Sequence, residues 1–262
     1  VPEREQYFLK TLSDTWDGYK MHAASGLVGY EMAQMLYGQT AVADAKNIPE
    51  LSGKRIEAAG ICAEVIARFP NSIGAVQCQL LLLNIERPTV DLEVEKYLRP
   101  HLPFLVKVTY RNLDSLFVTI YRDPDKSISG MDYSRSRDSA LIAMLRRSEP
   151  LHQKDFRFSQ PRDYFSYSTE IDLPELSVGH YVAVVSTTAQ IAERDEILAF
   201  QELDVTGLAL LSMRGPLETI FRVVSRGDGL PVSGAYIEIN ADQNPPITGQ
   251  TDKDGIFRLA HP

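Results

Sequence analysis

The sequence predicts an α+β multidomain chain, with a helical N-terminal region followed by antiparallel β-sandwich domains. Three observations predict it. Apolar residues recur at helical spacing over the first hundred residues, a run of prolines follows, and from Leu105 the period changes to two. The 262 residues predict two domains, or three small ones, at roughly 100–200 residues each. Hydrophobic residues make up 44 %, which excludes a disordered or collagen-like chain. No stretch approaches the ~20 uninterrupted apolar residues of a bilayer helix. With 27 Lys+Arg against 35 Asp+Glu the net charge is −8, which argues against a protein that holds phosphate backbones. Only Cys62 and Cys78 are cysteines, so a disulfide scaffold and a Cys-rich zinc protein are excluded. The fold has to rest on apolar burial.

The helical region is read over residues 1–103. From Pro2 to Tyr37, Phe8, Leu12, Trp16 and Tyr19, then Leu27, Tyr30, Met32 and Met35, recur at helical spacing. Gly26 and Gly29 weaken the middle of this run, so two shorter helices are expected. Gln39–Glu50 has no clear period and reads as a loop. A helix after Ser52 places Ile56, Ala59, Ala63 and Ile66 on one face. Phe69-Pro70-Asn71-Ser72 ends it, and Ser72 is a good N-cap for the next helix, through Val76, Leu80 and Leu83 to about Ile85. One such hairpin does not make a repeat protein. Pro88, Pro100 and Pro103 then break helix three times, leaving room for a short helix near Leu92–Leu98.

A first β-sandwich is read over 104–206. Val106, Val108 and Tyr110 alternate with Lys107, Thr109 and Arg111, and Asn112-Leu113-Asp114 turns the chain into a strand over Leu116–Tyr121. Further strands fit Asp155–Ser159, Phe165–Leu173, His180–Thr187 and Leu198–Val205. Between them, Asp123–Pro150 reads as a polar insertion with a short helix at Ala140–Leu145. Short strands with Gly and Pro turns indicate an antiparallel sandwich. A second β unit, 207–262, has strands at Leu208–Ser212, Thr219–Val224, Ala235–Asn240, Pro246–Thr251 and Ile256–Leu259, and reads as incomplete. Val1-Pro2-Glu3 and Ala260-His261-Pro262 do not look like natural ends, so the chain reads as a segment of something longer.

Few residues are arranged for chemistry. His22, His101, His152, His180 and His261 stand singly, none with a second His or a Cys at metal-ligand spacing, and read as surface or turn histidines. No H-E-x-x-H, G-x-S-x-G or phosphate-cradling loop occurs. Ser25-Gly26-Leu27-Val28-Gly29 follows no strand and reads as close helix packing. Cys62 and Cys78 lie mid-helix on the two arms of the hairpin and read as buried thiols; in an oxidising compartment a cross-helix disulfide stays open. Asp252-Lys253-Asp254-Gly255 resembles the start of a calcium loop, but the flanking Thr251 and Ile256 are strand residues and favour a hairpin turn. Arg135-Ser136-Arg137-Asp138, with Arg122, Arg146 and Arg147, reads as a solvated basic face without a stacking platform for nucleic acid. No carboxylate pair suits acid–base work.

Two stretches carry a family resemblance. Asp163–Val182, containing Leu173-Pro174-Glu175-Leu176 and Gly179-His180-Tyr181, is similar to the "strand, Leu-Pro-x-Leu, x-x-Gly-x-Tyr, strand" unit of macroglobulin-like domains. Gly229-Leu230-Pro231-Val232-Ser233-Gly234-Ala235, continued by Thr251-Asp252-Lys253-Asp254-Gly255-Ile256-Phe257, resembles a pattern shared by macroglobulin, carboxypeptidase-regulatory-like and transthyretin-like sandwiches. A helical part with Ala67-Arg68-Phe69-Pro70-Asn71-Ser72 comes first, and Lys107-Val108-Thr109-Tyr110-Arg111-Asn112 precedes both motifs. That succession resembles the N-terminal region of bacterial α2-macroglobulin-like proteins.

The resemblance implies immunoglobulin- or macroglobulin-like sandwiches in a non-catalytic scaffold segment, contributing to the trapping of endopeptidases at the cell envelope. Its partners would be proteases, met through the full-length protein, and other domains of the same chain. No nucleic acid and no membrane insertion are expected, and the location would be periplasmic or outer-membrane-anchored. The family's Cys-x-Glu-Gln thioester is not here, since the cysteines read Cys62-Ala63-Glu64-Val65 and Cys78-Gln79-Leu80-Leu81. No catalytic, cofactor-binding or metal-ligating residue is carried over, and no cofactor is expected. The alternative is a regulatory-like sandwich that binds or spaces other domains of an envelope receptor or secreted hydrolase. An enzyme using the helical half would require polar residues clustered on faces that read as apolar.

Overall fold

The computed structural model describes residues 3–42, 44–126, 135–159, 161–191, 197–240 and 246–261, with the side chains of Glu3 and of 135–138 outside the description. The chain has an α+β multidomain fold that divides into two compact units. One gathers Val1–Asp91, Val108–Leu116 and Phe156–Thr169; the other gathers Leu92–Lys107, Phe117–Asp155 and Glu170–Pro262.

The first unit is built on α1 (Glu3–Gly18), α2 (Ser25–Gln39), α3 (Pro49–Ser52), α4 (Lys54–Arg68) and α5 (Ile73–Glu86). The expected pair of helices before Tyr37 is present, but the break falls at 19–24 and not at the glycines. Gly26 and Gly29 lie inside α2 and let helices touch. A Cβ on Gly29 would come within 2.5 Å of Val65 and 3.0 Å of Trp16. A Cβ on Gly74 of α5 would sit 2.1 Å from the Gly26 carbonyl carbon. The segment expected as a loop contains a 3₁₀ turn, Ala45–Asn47, and the short α3. Ser72 caps α5 as expected, its Oγ accepting from the Ala75 N–H at 3.1 Å.

The inward faces of α4 and α5 differ, for α4 in part, from the expected ones. α4 buries Ala58, Ala59, Cys62 and Val65 with Ile66 packed against the core, so Ala59 and Ile66 of the expected face are inward while Ile56 and Ala63 are exposed. α5 buries Gly74, Ala75, Cys78, Leu81 and Ile85 and exposes Ile73, Val76, Leu80 and Leu83. Both helices are apolar on more than one side, so the pattern alone cannot choose a face. Small residues choose it, because Gly, Ala and Cys let backbones approach. The resulting core joins Trp16, Met32, Leu36, Cys62, Val65, Cys78, Leu81 and Ile85.

The strands are β1 (Thr89–Glu93), β2 (Tyr97–Leu98), β3 (Phe104–Arg111), β4 (Ser115–Arg122), β5 (Pro150–Arg157), β6 (Tyr167–Leu173), β7 (Gly179–Ser186) and β8 (Ile197–Val205). β1 and β2 replace the short helix expected near Leu92–Leu98. Val90 and Leu92 alternate with exposed residues there, a period-two pattern between prolines. β5 begins earlier than expected, at Pro150. β3 follows its predicted alternation, with Val106, Val108 and Tyr110 buried.

Three strands pair in the order β1-β3-β6 and five in the order β2-β8-β7-β4-β5. Consecutive strands β3 and β4 therefore belong to different sheets. The larger sheet is mixed, because β2 runs parallel to β8. β7 is buried on both faces, and α6 (Arg135–Leu145) covers one of them, where Leu141, Met144 and Leu145 meet Val182, Val184 and Ile197.

Five further strands lie wholly in the second unit: β9 (Leu208–Arg214), β10 (Glu218–Ser225), β11 (Tyr236–Ile239), β12 (Ile247–Gln250) and β13 (Ile256–Ala260). They form a three-stranded sheet, β13-β10-β9, and a two-stranded one, β11-β12. β9 leaves Leu208, Leu210, Leu211 and Met213 exposed.

Candidate functional site

The motif residues of the second unit act through backbone geometry. Leu173 and Leu176 are buried, and the chain then turns through Gly179, whose φ is +156°. A Cβ there would lie in ordinary contact with the Tyr181 ring, at 3.4 Å, so it is the backbone conformation that favours glycine. Tyr181, near the start of β7, donates its hydroxyl back to the Ser177 carbonyl at 2.9 Å. A tyrosine that ties its own strand to the backbone a few residues upstream is the corner device of immunoglobulin-like sandwiches.

The second motif closes around Thr251. Its buried hydroxyl donates to the Val232 carbonyl at 2.7 Å and accepts from the Ala235 N–H at 2.9 Å, pinning the Pro231–Ala235 loop. Asp252 Oδ1 accepts from the N–H groups of Asp254 and Ile256, each at 2.9 Å. Gly255 completes the turn at φ +72°, where a Cβ would lie 2.5 Å from the Val223 carbonyl oxygen. The Asp252 carboxylate oxygen is thus engaged by the turn itself, but the expected hairpin is not formed, because β12 and β13 on its two sides pair in different sheets. Among the described residues no group of three His, Cys, Asp or Glu could hold a metal ion.

Cys62 and Cys78 are brought together. Both are fully buried in the helical core and their thiols influence each other's ionisation. That interaction and burial push the Cys62 thiol well above its ordinary value, and the same interaction holds Cys78 down.

The histidines stay apart. His22 follows α1, and His101 takes φ +59° while its N–H donates to Leu176. His152 lies on β5, His180 pairs with Asp204 across β7 and β8, and His261 Nε2 is 2.8 Å from Thr219 Oγ1. Arg135–Asp138 form the first turn of α6, but their side chains lie outside the described residues. Arg122 closes β4, and Arg146 and Arg147 follow α6.

Two polar ties in the first unit were not visible in the sequence pattern. Arg55 Nη1 donates to the Tyr164 carbonyl at 2.6 Å and Nε to Thr40 Oγ1 at 2.9 Å, while the guanidinium stacks 4.1 Å from the centre of the Phe165 ring. Burial, the largest effect, lowers the Arg55 pKa from its ordinary value. Asn112, at φ +56°, donates from Nδ2 to the Ile85 carbonyl at 2.7 Å and so caps the end of α5. Long-range partners of this kind leave no periodic signal.

Each unit has a cleft. In the second, about 560 Å³ is enclosed by Leu98, Arg99, Leu102, Phe104, Leu105 and Arg226. Arg226 Nη2 is held by the Tyr97 carbonyl at 2.8 Å. In the first, about 260 Å³ lies beside Asn112, Arg162, Tyr164 and Phe165. That cleft is also lined by two carboxylates, Glu86 and Asp114.

Among the described residues no helix is long and apolar enough to cross a membrane. No protein-family model and no curated protein matches the chain. Among solved structures, native Escherichia coli α2-macroglobulin spanning domains MG0-NIE-MG1 is similar at 13 % identity and a TM-score of 0.47, over 67 % of this chain and 58 % of that one. The fragment spanning NIE-MG1 gives 13 % and 0.46, over 68 % of this chain and 88 % of that one. The trypsin-activated E. coli protein gives 16 % and 0.41, over 66 % and 12 %.

Proposed function

We propose that this chain is a non-catalytic scaffold segment of an α2-macroglobulin-like protein that contributes to trapping endopeptidases at the cell envelope. The reading rests on one observation, the succession of two motifs whose residues each do a sandwich-building task. The Tyr181 corner comes first, and the Thr251-pinned loop follows in the next β unit. In this reading 1–103 is a helical lead-in whose last strands, β1 and β2, join the sheets of 104–206, a macroglobulin-like sandwich, and 207–262 is part of another. Its contacts are with proteases, through the whole protein, and with other domains of the same chain. It uses no cofactor and sits in the periplasm or on an outer-membrane anchor.

The test is incubation of the complete protein with proteases of several classes, followed by a gel for retained protease. Retention in a higher-mass species supports the reading. Free protease in every class, with the protein cleaved, overturns it. The alternative of a regulatory-like spacer is favoured by the Gly-x-Pro-Val motif, which such modules share. It is separated by the rest of the open reading frame: a membrane β-barrel or a hydrolase domain supports the spacer, further sandwiches and a Cys-x-Glu-Gln the trap.

A further inference from the structure

Cys62 and Cys78 meet by construction. Cys62 lies six residues before the end of α4 and Cys78 five after the start of α5. At 1.5 Å rise per residue they stand roughly 9 and 7.5 Å from the Phe69–Ser72 turn, at the same height in an antiparallel hairpin. Each occupies the inward face of its helix at 0 % exposure. Both cysteines belong to one core cluster, with the small Ala58 and Ala75 also buried there. Within that cluster the two thiols influence each other's ionisation. None of this is used by the proposed function.

We propose that Cys62 and Cys78 are a disulfide-forming pair that staples α4 to α5 while the chain folds. The oxidant is a small or protein-borne disulfide. One protein thiolate attacks a sulfur of that disulfide, its S–S bond breaks, and one reduced thiol leaves. The second protein thiolate then displaces the other half from the mixed disulfide. Two protein thiols thereby lose two protons and two electrons, one S–S bond forms, and the oxidant becomes two thiols. Because both sulfurs are sealed in the folded core, exchange takes place before the hairpin closes or on opening of it. The finished bond then resists reductants as long as the fold holds.

The test refolds the 262-residue chain from denaturant with oxidised and reduced glutathione, then denatures it, alkylates it with iodoacetamide and digests it with trypsin. The expected result is an intact mass lower by two hydrogens, no alkylation at either cysteine, and the Cys62 and Cys78 peptides joined until reduced. Reductant added during melting lowers the Tm of this material by roughly 5–10 °C. The same addition leaves the Tm of the C62A/C78A chain unchanged. If that variant does not fold, the mass readout on the natural chain decides alone. Two alkylated cysteines in material with native circular dichroism, or cysteines joined only between chains, overturns the proposal.

Discussion

Arg55 ties three stretches of the first unit with one side chain, reaching Thr40, Tyr164 and the Phe165 ring. Arg55→Ala is expected to destabilise the chain by about 2–3 kcal/mol, because charge-assisted bonds are lost and the Tyr164 carbonyl is left without its donor. Arg55→Lys keeps the charge but not the planar fork, so it falls between the two in urea titration. Asn112→Ala is expected to cost about 1–2 kcal/mol, since it strains a positive φ and uncaps Ile85. Asn112→Gly relieves the first part and not the second. Tyr167 adds a pH dependence. Burial, helped by its hydrogen bond to Asp163, raises the phenol from 10.0 to about 12. The native state therefore favours the neutral ring, and its contribution is complete below pH 10 and lost between pH 10 and 12. Stability measured across that window is expected to fall, and less steeply in Tyr167→Phe. A reversed slope contradicts the assignment.

At the scale of elements, alternation was legible in β3 because its period of two separates an inward from an outward face. Val106, Val108 and Tyr110 were placed inward on that ground and are inward. Helix faces were less legible. In α5 the run Leu80-Leu81-Leu82-Leu83 fits any face, and the face is fixed by Gly74 against Gly26, a contact between residues far apart in sequence. Gly74→Ala is accordingly expected to destabilise by about 3 kcal/mol or more, although alanine is the better helix former. A neutral or stabilising effect in thermal melts contradicts the packing described. β1 and β2 were missed because five- and two-residue strands between prolines carry too short a pattern to outweigh a helix. The corner and the Thr251 latch were legible as motifs, since each needs a fixed residue type at a fixed offset. Tyr181→Phe is expected to cost about 1 kcal/mol with the fold retained.

At the scale of the whole molecule, contiguous segments could be read from composition, but not the way 108–116 and 156–169 join the helices in one compact unit. That arrangement rests on Arg55, Asn112 and the stacking of Tyr110 on Phe158, with ring centroids 3.7 Å apart, none of which a local pattern encodes. The sequence placed Cys62 and Cys78 on the two arms of one hairpin, where they share a core cluster, and read the histidines as single, which they are. What the chain does in this reading depends on domains working together. The direct test compares protease activity toward a large protein and toward a small peptide after incubation with the complete protein. The scaffold reading predicts that cleavage of the large substrate falls sharply while the small peptide is still cut, because a caged protease admits only small molecules. Equal activity toward both substrates, for every protease class tried, contradicts it.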